Sequence, residues 1–77
     1  NVLIYPNPTT DVLNITGLEG SGTISIFNAV GQVMMTVPFN NSDRMKLNLS
    51  ALVSGVYLVQ IRTENAIVTH KLRLIQS

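Results

Sequence analysis

The chain carries one histidine, His70, four acids, Asp11, Glu19, Asp43 and Glu64, and no cysteine. Acid–base or nucleophilic catalysis needs a base beside a nucleophile, with a third group to orient the base. His70 lies between Val68 and Leu72 with no local grouping of that kind around it. A catalytic zinc would need two further ligands of His, Cys or carboxylate type, and the acids sit mostly in separate turns. Glycoside cleavage needs two carboxyl groups roughly 5–9.5 Å apart across a cleft, and a chain of 77 residues with a filled core leaves little room for one. His70 therefore reads as a partly buried histidine near one end of a sandwich. No catalytic, metal-ligating or cofactor-binding residue is assigned, no cofactor is expected, and the chain does not read as an enzyme.

Other spacings are equally bland. Gly17-Leu18-Glu19-Gly20-Ser21-Gly22 lacks the following helix and the Lys-Ser/Thr pair of a phosphate-binding loop, so it reads as a turn. Asn-X-Ser/Thr sequons stand at Asn14, Asn40 and Asn48, and carry meaning only for a chain of eukaryotic secretory origin. Tyr5, Phe27, Phe39 and Tyr57 are too scattered for a base-stacking platform. Five Lys/Arg against four Asp/Glu leave a net charge of +1, which provides no basic field for nucleic acid. The longest apolar runs, Val2–Tyr5 and Val56–Val59, fall far short of the roughly 20 residues of a spanning helix, so the chain is not expected to span a membrane.

Whatever the chain does must be carried by one small domain, because domains run to roughly 50–250 residues. The dominant period is two. Thr23-Ile24-Ser25-Ile26 and Arg44-Met45-Lys46-Leu47-Asn48-Leu49 alternate polar and apolar, as strands do with one face on a core and one in water. Further strands are predicted at Val2–Tyr5, Val12–Thr16, Gln32–Val37, Val56–Arg62 and Ile67–Ile75. Turns are predicted at Pro6–Thr9, Glu19–Gly22, Asn28–Gly31, Asn40–Asp43 and Thr63–Ala66, with one turn of 3₁₀ helix within Ser50–Ser54. Met34 and Met35 read as gap-filling residues on a middle strand. Seven short antiparallel strands at this spacing predict an all-β sandwich. Its core is expected to hold Leu13, Ile15, Ile24, Ile26, Met45, Leu47, Leu49, Tyr57, Val59, Ile61, Val68, Leu72 and Leu74, with Gln60, Arg62, Thr69, Lys71 and Arg73 outside.

Four ordered segments form a recognisable pattern. Tyr5-Pro6-Asn7-Pro8 precedes Asp11-Val12-Leu13-Asn14-Ile15. Ile24-Ser25-Ile26-Phe27-Asn28-Ala29-Val30-Gly31 precedes Val33. Leu47-Asn48-Leu49-Ser50-Ala51-Leu52 then leads to Gly55-Val56-Tyr57-Leu58-Val59, and the chain closes on Lys71-Leu72-Arg73-Leu74-Ile75. This combination resembles the type A C-terminal sorting domain of the type IX (Por) secretion system of Bacteroidota. The resemblance implies an immunoglobulin-like sandwich. It also implies a role as the C-terminal address of a cargo protein, passing through the periplasm to the cell surface or beyond. The partners it implies are the type IX translocon, an outer-membrane shuttle barrel and a surface sortase that usually removes the domain and joins the cargo to an anionic lipopolysaccharide.

Carried onto this chain, Gly55, Val56, Tyr57, Leu58 and Val59 match the family's glycine-aromatic motif, and Lys71, Leu72, Arg73, Leu74 and Ile75 its basic terminal strand. Tyr5, Pro6, Asn7 and Pro8 match its N-terminal motif. Departures from the family pattern are Val53 for a frequent proline, Asn28 for a frequent aspartate, and Val68-Thr69-His70 in place of a frequent Gly-Lys pair. The chain begins at Asn1 rather than Met, so residues 1–77 are expected to be a single domain excised from a larger secreted protein. Because the last strand runs close to Ser77, its outer edge is expected to be free for pairing with a partner strand or a second copy. Two other readings are a passive immunoglobulin-like or fibronectin-like spacer and a carbohydrate-binding sandwich. The second lacks an aromatic platform, since only 5% of the chain is aromatic.

Overall fold

In the computed structural model, which describes residues 2–76, the regular elements among the described residues are all strands: β1 Leu3–Tyr5, β2 Val12–Thr16, β3 Ser21–Phe27, β4 Val33–Asn40, β5 Arg44–Asn48, β6 Gly55–Thr63 and β7 Ile67–Leu74. Asn1 and Ser77, on which the expectations about the chain's start and its end rest, lie outside the described residues. Local chemistry makes the hairpins. At the β3–β4 turn the Asn28 carbonyl accepts from Gly31 N–H at 3.0 Å, while Asn28 Oδ1 accepts from Val30 and Gln32 N–H. Gly31 takes φ +90°, a conformation that costs glycine little. Oδ1 is an acceptor in aspartate too, which explains why Asn28 substitutes for it here.

Two antiparallel sheets result, β1-β2-β5 and β4-β3-β6-β7. β2 and β5 share one sheet and β3, β6 and β7 the other, as strands B and E, and C, F and G, do in immunoglobulin domains; β4 sides with β3. Between them lies the core of Leu13, Ile15, Leu18, Ile24, Ile26, Phe39, Leu47, Leu49, Leu52, Tyr57, Val59, Ile61, Leu72 and Leu74. The alternation in the sequence thus selects the buried face correctly, with Met45 and Val68 only half-buried.

Several particulars differ from expectation: β4 runs Val33–Asn40 and not Gln32–Val37, β5 ends at Asn48, and Leu18, Phe39 and Leu52 join the core. Ser50–Ser54 forms a turn closed by Leu52 N–H donating to the Leu49 carbonyl, without a 3₁₀ helix. β4 is an edge strand and not a middle one. Met34, at the bulge between the pair Ile26 with Met35 and the pair Phe27 with Val33, is exposed, while Met35 is half-buried. Pro38 is tolerated because an edge strand needs no N–H on its outer side. Ser21 and Gly22 belong to β3, and Gly22 is required there by a close approach, since a Cβ would meet the Arg62 carbonyl. Strand β7 stops at Leu74, leaving Ile75 beyond it and exposed.

Tyr57 ties the β5–β6 crossover to the core. Its ring is buried, and its hydroxyl donates to the Val53 carbonyl at 2.6 Å, four residues upstream, in the manner of the tyrosine corner of immunoglobulin-like domains. Because the acceptor is a backbone carbonyl, the side chain at position 53 is free to vary, which accounts for Val53 in place of proline. Tyr57→Phe is expected to cost about 1 kcal/mol. For a domain of this size that lowers Tm by roughly 4–8 °C, readable by thermal melting.

Candidate recognition surface

The two motifs singled out from the sequence fall on one ladder. Gly55 pairs with Leu74, Val56 with Arg73, Tyr57 with Leu72 and Leu58 with Lys71. Strand alternation then divides each motif between two tasks. Tyr57, Val59, Leu72 and Leu74 point inward and are buried, so their place in the pattern is explained by packing. Val56 and Leu58, each 42% exposed, point outward with Lys71, Arg73 and Ile75.

Phe27 and Val33 extend this face: Phe27 pairs with Leu58 on one side and Val33 on the other, giving the row Val33, Phe27, Leu58, Lys71 across all four strands. Sequence reasoning missed Phe27 as a surface residue. The signal was present, because continuing the Thr23–Ile26 alternation by one residue turns Phe27 outward. Beside this row Thr23 pairs with Arg62, adding a third cation to the same side of the sheet. Arg44 and Lys46, the other two, lie on β5. All four acids lie in connections between strands, so neither sheet carries an opposing carboxylate. The outer side of the four-stranded sheet is therefore a mixed apolar and cationic surface, suited to an acidic, partly apolar partner.

A shallow cavity of about 240 Å³ sits at the end of this face, lined by Asn28, Ala29, Val30, Val53, Ser54, Gly55, Val56 and Tyr57. Val30 and Val53 on its rim are 80% and 76% exposed.

The N-terminal motif does more than stop the first strand. Tyr5–Pro6 and Asn7–Pro8 are both cis peptide bonds. Asn7 Nδ2 donates to the Lys71 carbonyl at 2.9 Å, and Asn7 Oδ1 accepts from Arg73 N–H at 3.0 Å. Thr9 N–H donates to the Arg73 carbonyl and the Thr9 carbonyl accepts from Ile75 N–H, as a parallel bridge between Thr9 and Leu74. Thr9 itself is buried, its hydroxyl donating to the Val12 carbonyl at 2.6 Å. The expected free edge at the end of the last strand is thus corrected: from Lys71 to Ile75 it is occupied from within, by Asn7 and Thr9.

Removing the Asn7 carboxamide should open that seam. Asn7→Ala is expected to destabilise the domain by about 1–2 kcal/mol, from two lost hydrogen bonds, and to speed hydrogen exchange at the Arg73 amide.

A family model described as the secretion system C-terminal sorting domain matches residues 3–75. The chain belongs to this family. The sorting domain's fold is shared with PorZ of Porphyromonas gingivalis, described as an essential bacterial surface component of the type-IX secretion system: TM-score 0.83 at 22% identity, covering 97% of this chain and 11% of that one. No curated protein matches the sorting domain. Of the sequence motifs, Gly55–Val59 and Lys71–Ile75 meet along one hairpin, β6 with β7. Among the described residues no cluster of three His, Cys, Asp or Glu is arranged to hold a metal ion, and no helix is long and apolar enough to cross a membrane.

Proposed function

We propose that residues 1–77 form a single C-terminal address of a larger exported protein, read in its folded state by the type IX machinery. In this reading the translocon and the outer-membrane shuttle recognise the outer face of β6 and β7, and a sortase then acts on the cargo at the cell surface. The cargo passes through the periplasm and ends on the surface or in the medium. The domain contributes a shape and a charge pattern and carries out no chemistry of its own.

The observation that carries this reading is the division of labour along β6 and β7. Within the motifs, alternate residues are spent on the core, and the remainder, Val56, Leu58, Lys71, Arg73 and Ile75, stay solvent-facing. Exposed apolar side chains grouped beside cations mark an interaction surface. The motif Tyr5-Pro6-Asn7-Pro8 serves it indirectly, through Asn7, which with the adjacent Thr9 bonds the end of β7.

The test is a secreted reporter carrying residues 1–77 at its C terminus, expressed with and without a working type IX translocon. Surface display that depends on the translocon supports the proposal. Equal retention in both strains contradicts it, and points to the spacer reading.

Gly55 offers a sharper probe. Its φ is not in the left-handed region, and an added Cβ would sit 3.9 Å from the Tyr57 ring, an ordinary contact. Gly55→Ala is therefore expected to leave stability unchanged or raise it by about 0.4–1 kcal/mol. A fall in reporter display at intact Tm would assign Gly55 to recognition.

A further inference from the structure

Strand β7 meets β6 on one side only. Lys71 C=O, Arg73 N–H and C=O, and Ile75 N–H point to the other side, where Asn7 and Thr9 take them. In an antiparallel ladder the outward backbone groups recur every second residue. The N–H and C=O of Ile67 and Thr69, and the N–H of Lys71, therefore face the same edge. No described residue pairs with them. The edge changes character at Lys71: its second half is closed from within, and its first half is open.

Directly inside the open half is a cavity of about 400 Å³, between β6 and β7 on one side and the segments that precede β1 and follow β2 on the other. Val68 and His70 of β7 line it, together with Val2, Leu18, Glu19 and Ile61. His70 Nε2 is buried and has no hydrogen-bond partner among the described residues. Buried polar groups are almost always paired in folded proteins, so a hydrogen-bonding group seated in the cavity would find an available partner in this nitrogen. Backbone groups without partners and a cavity with an unmet polar atom thus coincide on one stretch of one strand. The other long edge, β4, carries Pro38, which has no backbone donor to offer a partner strand.

We propose that β7 accepts an extended segment of a partner polypeptide along Ile67–Lys71, with one inward side chain of that segment seated in the cavity and hydrogen-bonded to His70 Nε2. Only a polypeptide strand supplies donors and acceptors at the spacing of the open edge. The seated side chain needs an apolar stem, to lie against Val2, Leu18, Ile61 and Val68, and a hydrogen-bonding tip, as in tyrosine or glutamine. Glu19 on the lining selects against an acidic tip. This site rests on the sorting role proposed above and adds a second point of engagement, on the seam beside β7 and not on its outward face.

Two substitutions in the reporter fusion test it. Thr69→Pro deletes one outward N–H, a change an edge strand tolerates. His70→Phe keeps the ring volume but removes the orphaned nitrogen, so it is expected to raise Tm by roughly 4 °C or more, by relieving a buried unpaired group. Both variants are expected to lower surface display about tenfold, the effect of about 1.4 kcal/mol in binding. A variant that is more stable yet exported less has no explanation in a purely structural role for His70. If Thr69→Pro fails to fold, His70→Phe decides alone. Wild-type display from folded His70→Phe overturns the proposal. If the unsubstituted fusion is itself not displayed, the sorting role has failed and not merely this site. A purified chain that dimerises, and that Thr69→Pro renders monomeric, would show the occupant to be a second copy, also overturning the proposal.

Discussion

Leu72→Ala is expected to unfold the domain, while substitutions at its immediate neighbours leave it intact. Leu72 is fully buried between the sheets. Truncating such a leucine costs about 2–5 kcal/mol, through lost burial and the cavity left behind. A single core in a chain below roughly 70–80 residues rarely supplies more than about 3–5 kcal/mol. The variant should therefore show no cooperative melting transition near 37 °C and a collapsed amide dispersion by NMR. The same arithmetic applies to deletion of residues 71–77, which removes Leu72 and Leu74 together, both buried. Loss of export by that deletion would report unfolding, and could not by itself locate a recognition site.

The second large effect is functional. Lys71 and Arg73 flank Leu72 on the same strand and point outward. Lys71→Ala with Arg73→Ala should leave Tm nearly unchanged, because exposed substitutions without buried partners usually stay within about 0.5 kcal/mol. Reporter display should nevertheless fall about tenfold, since removing the cations weakens the attraction of an acidic partner and slows its encounter. Raising ionic strength in a binding assay should reproduce part of that loss for the unsubstituted chain. Three consecutive residues are thus expected to separate stability from recognition.

Much of this was legible in the sequence because period-two patterning is a direct record of which side of a strand is buried. Ile24 and Ile26, Leu13 and Ile15, and Tyr57, Val59 and Ile61 are all inward as read. Legibility failed where a residue's environment depends on a distant segment. Thr9 is a small polar residue beside a proline, and nothing local says that it will be buried against the end of β7. Asn7 reaches Lys71 across 64 residues of chain, so the closure of that edge cannot be read from the terminal strand alone. Phe39 is buried although it follows Pro38, which argues locally against a strand; only the edge position of β4 removes the conflict. Alternation also read Lys71 and Arg73 as outward and Leu72 and Leu74 as inward; what it could not show is that the two motifs lie side by side, which only the pairing of β6 with β7 reveals.

The most direct test of the account is to replace the outward set while sparing the core. A reporter fusion carrying Val56→Thr, Leu58→Thr, Lys71→Ala and Arg73→Ala should melt cooperatively, close to the parent temperature, and remain inside cells that display the parent fusion. Undiminished display by that folded variant would contradict the claim that the outer face of β6 and β7 is what the export machinery reads.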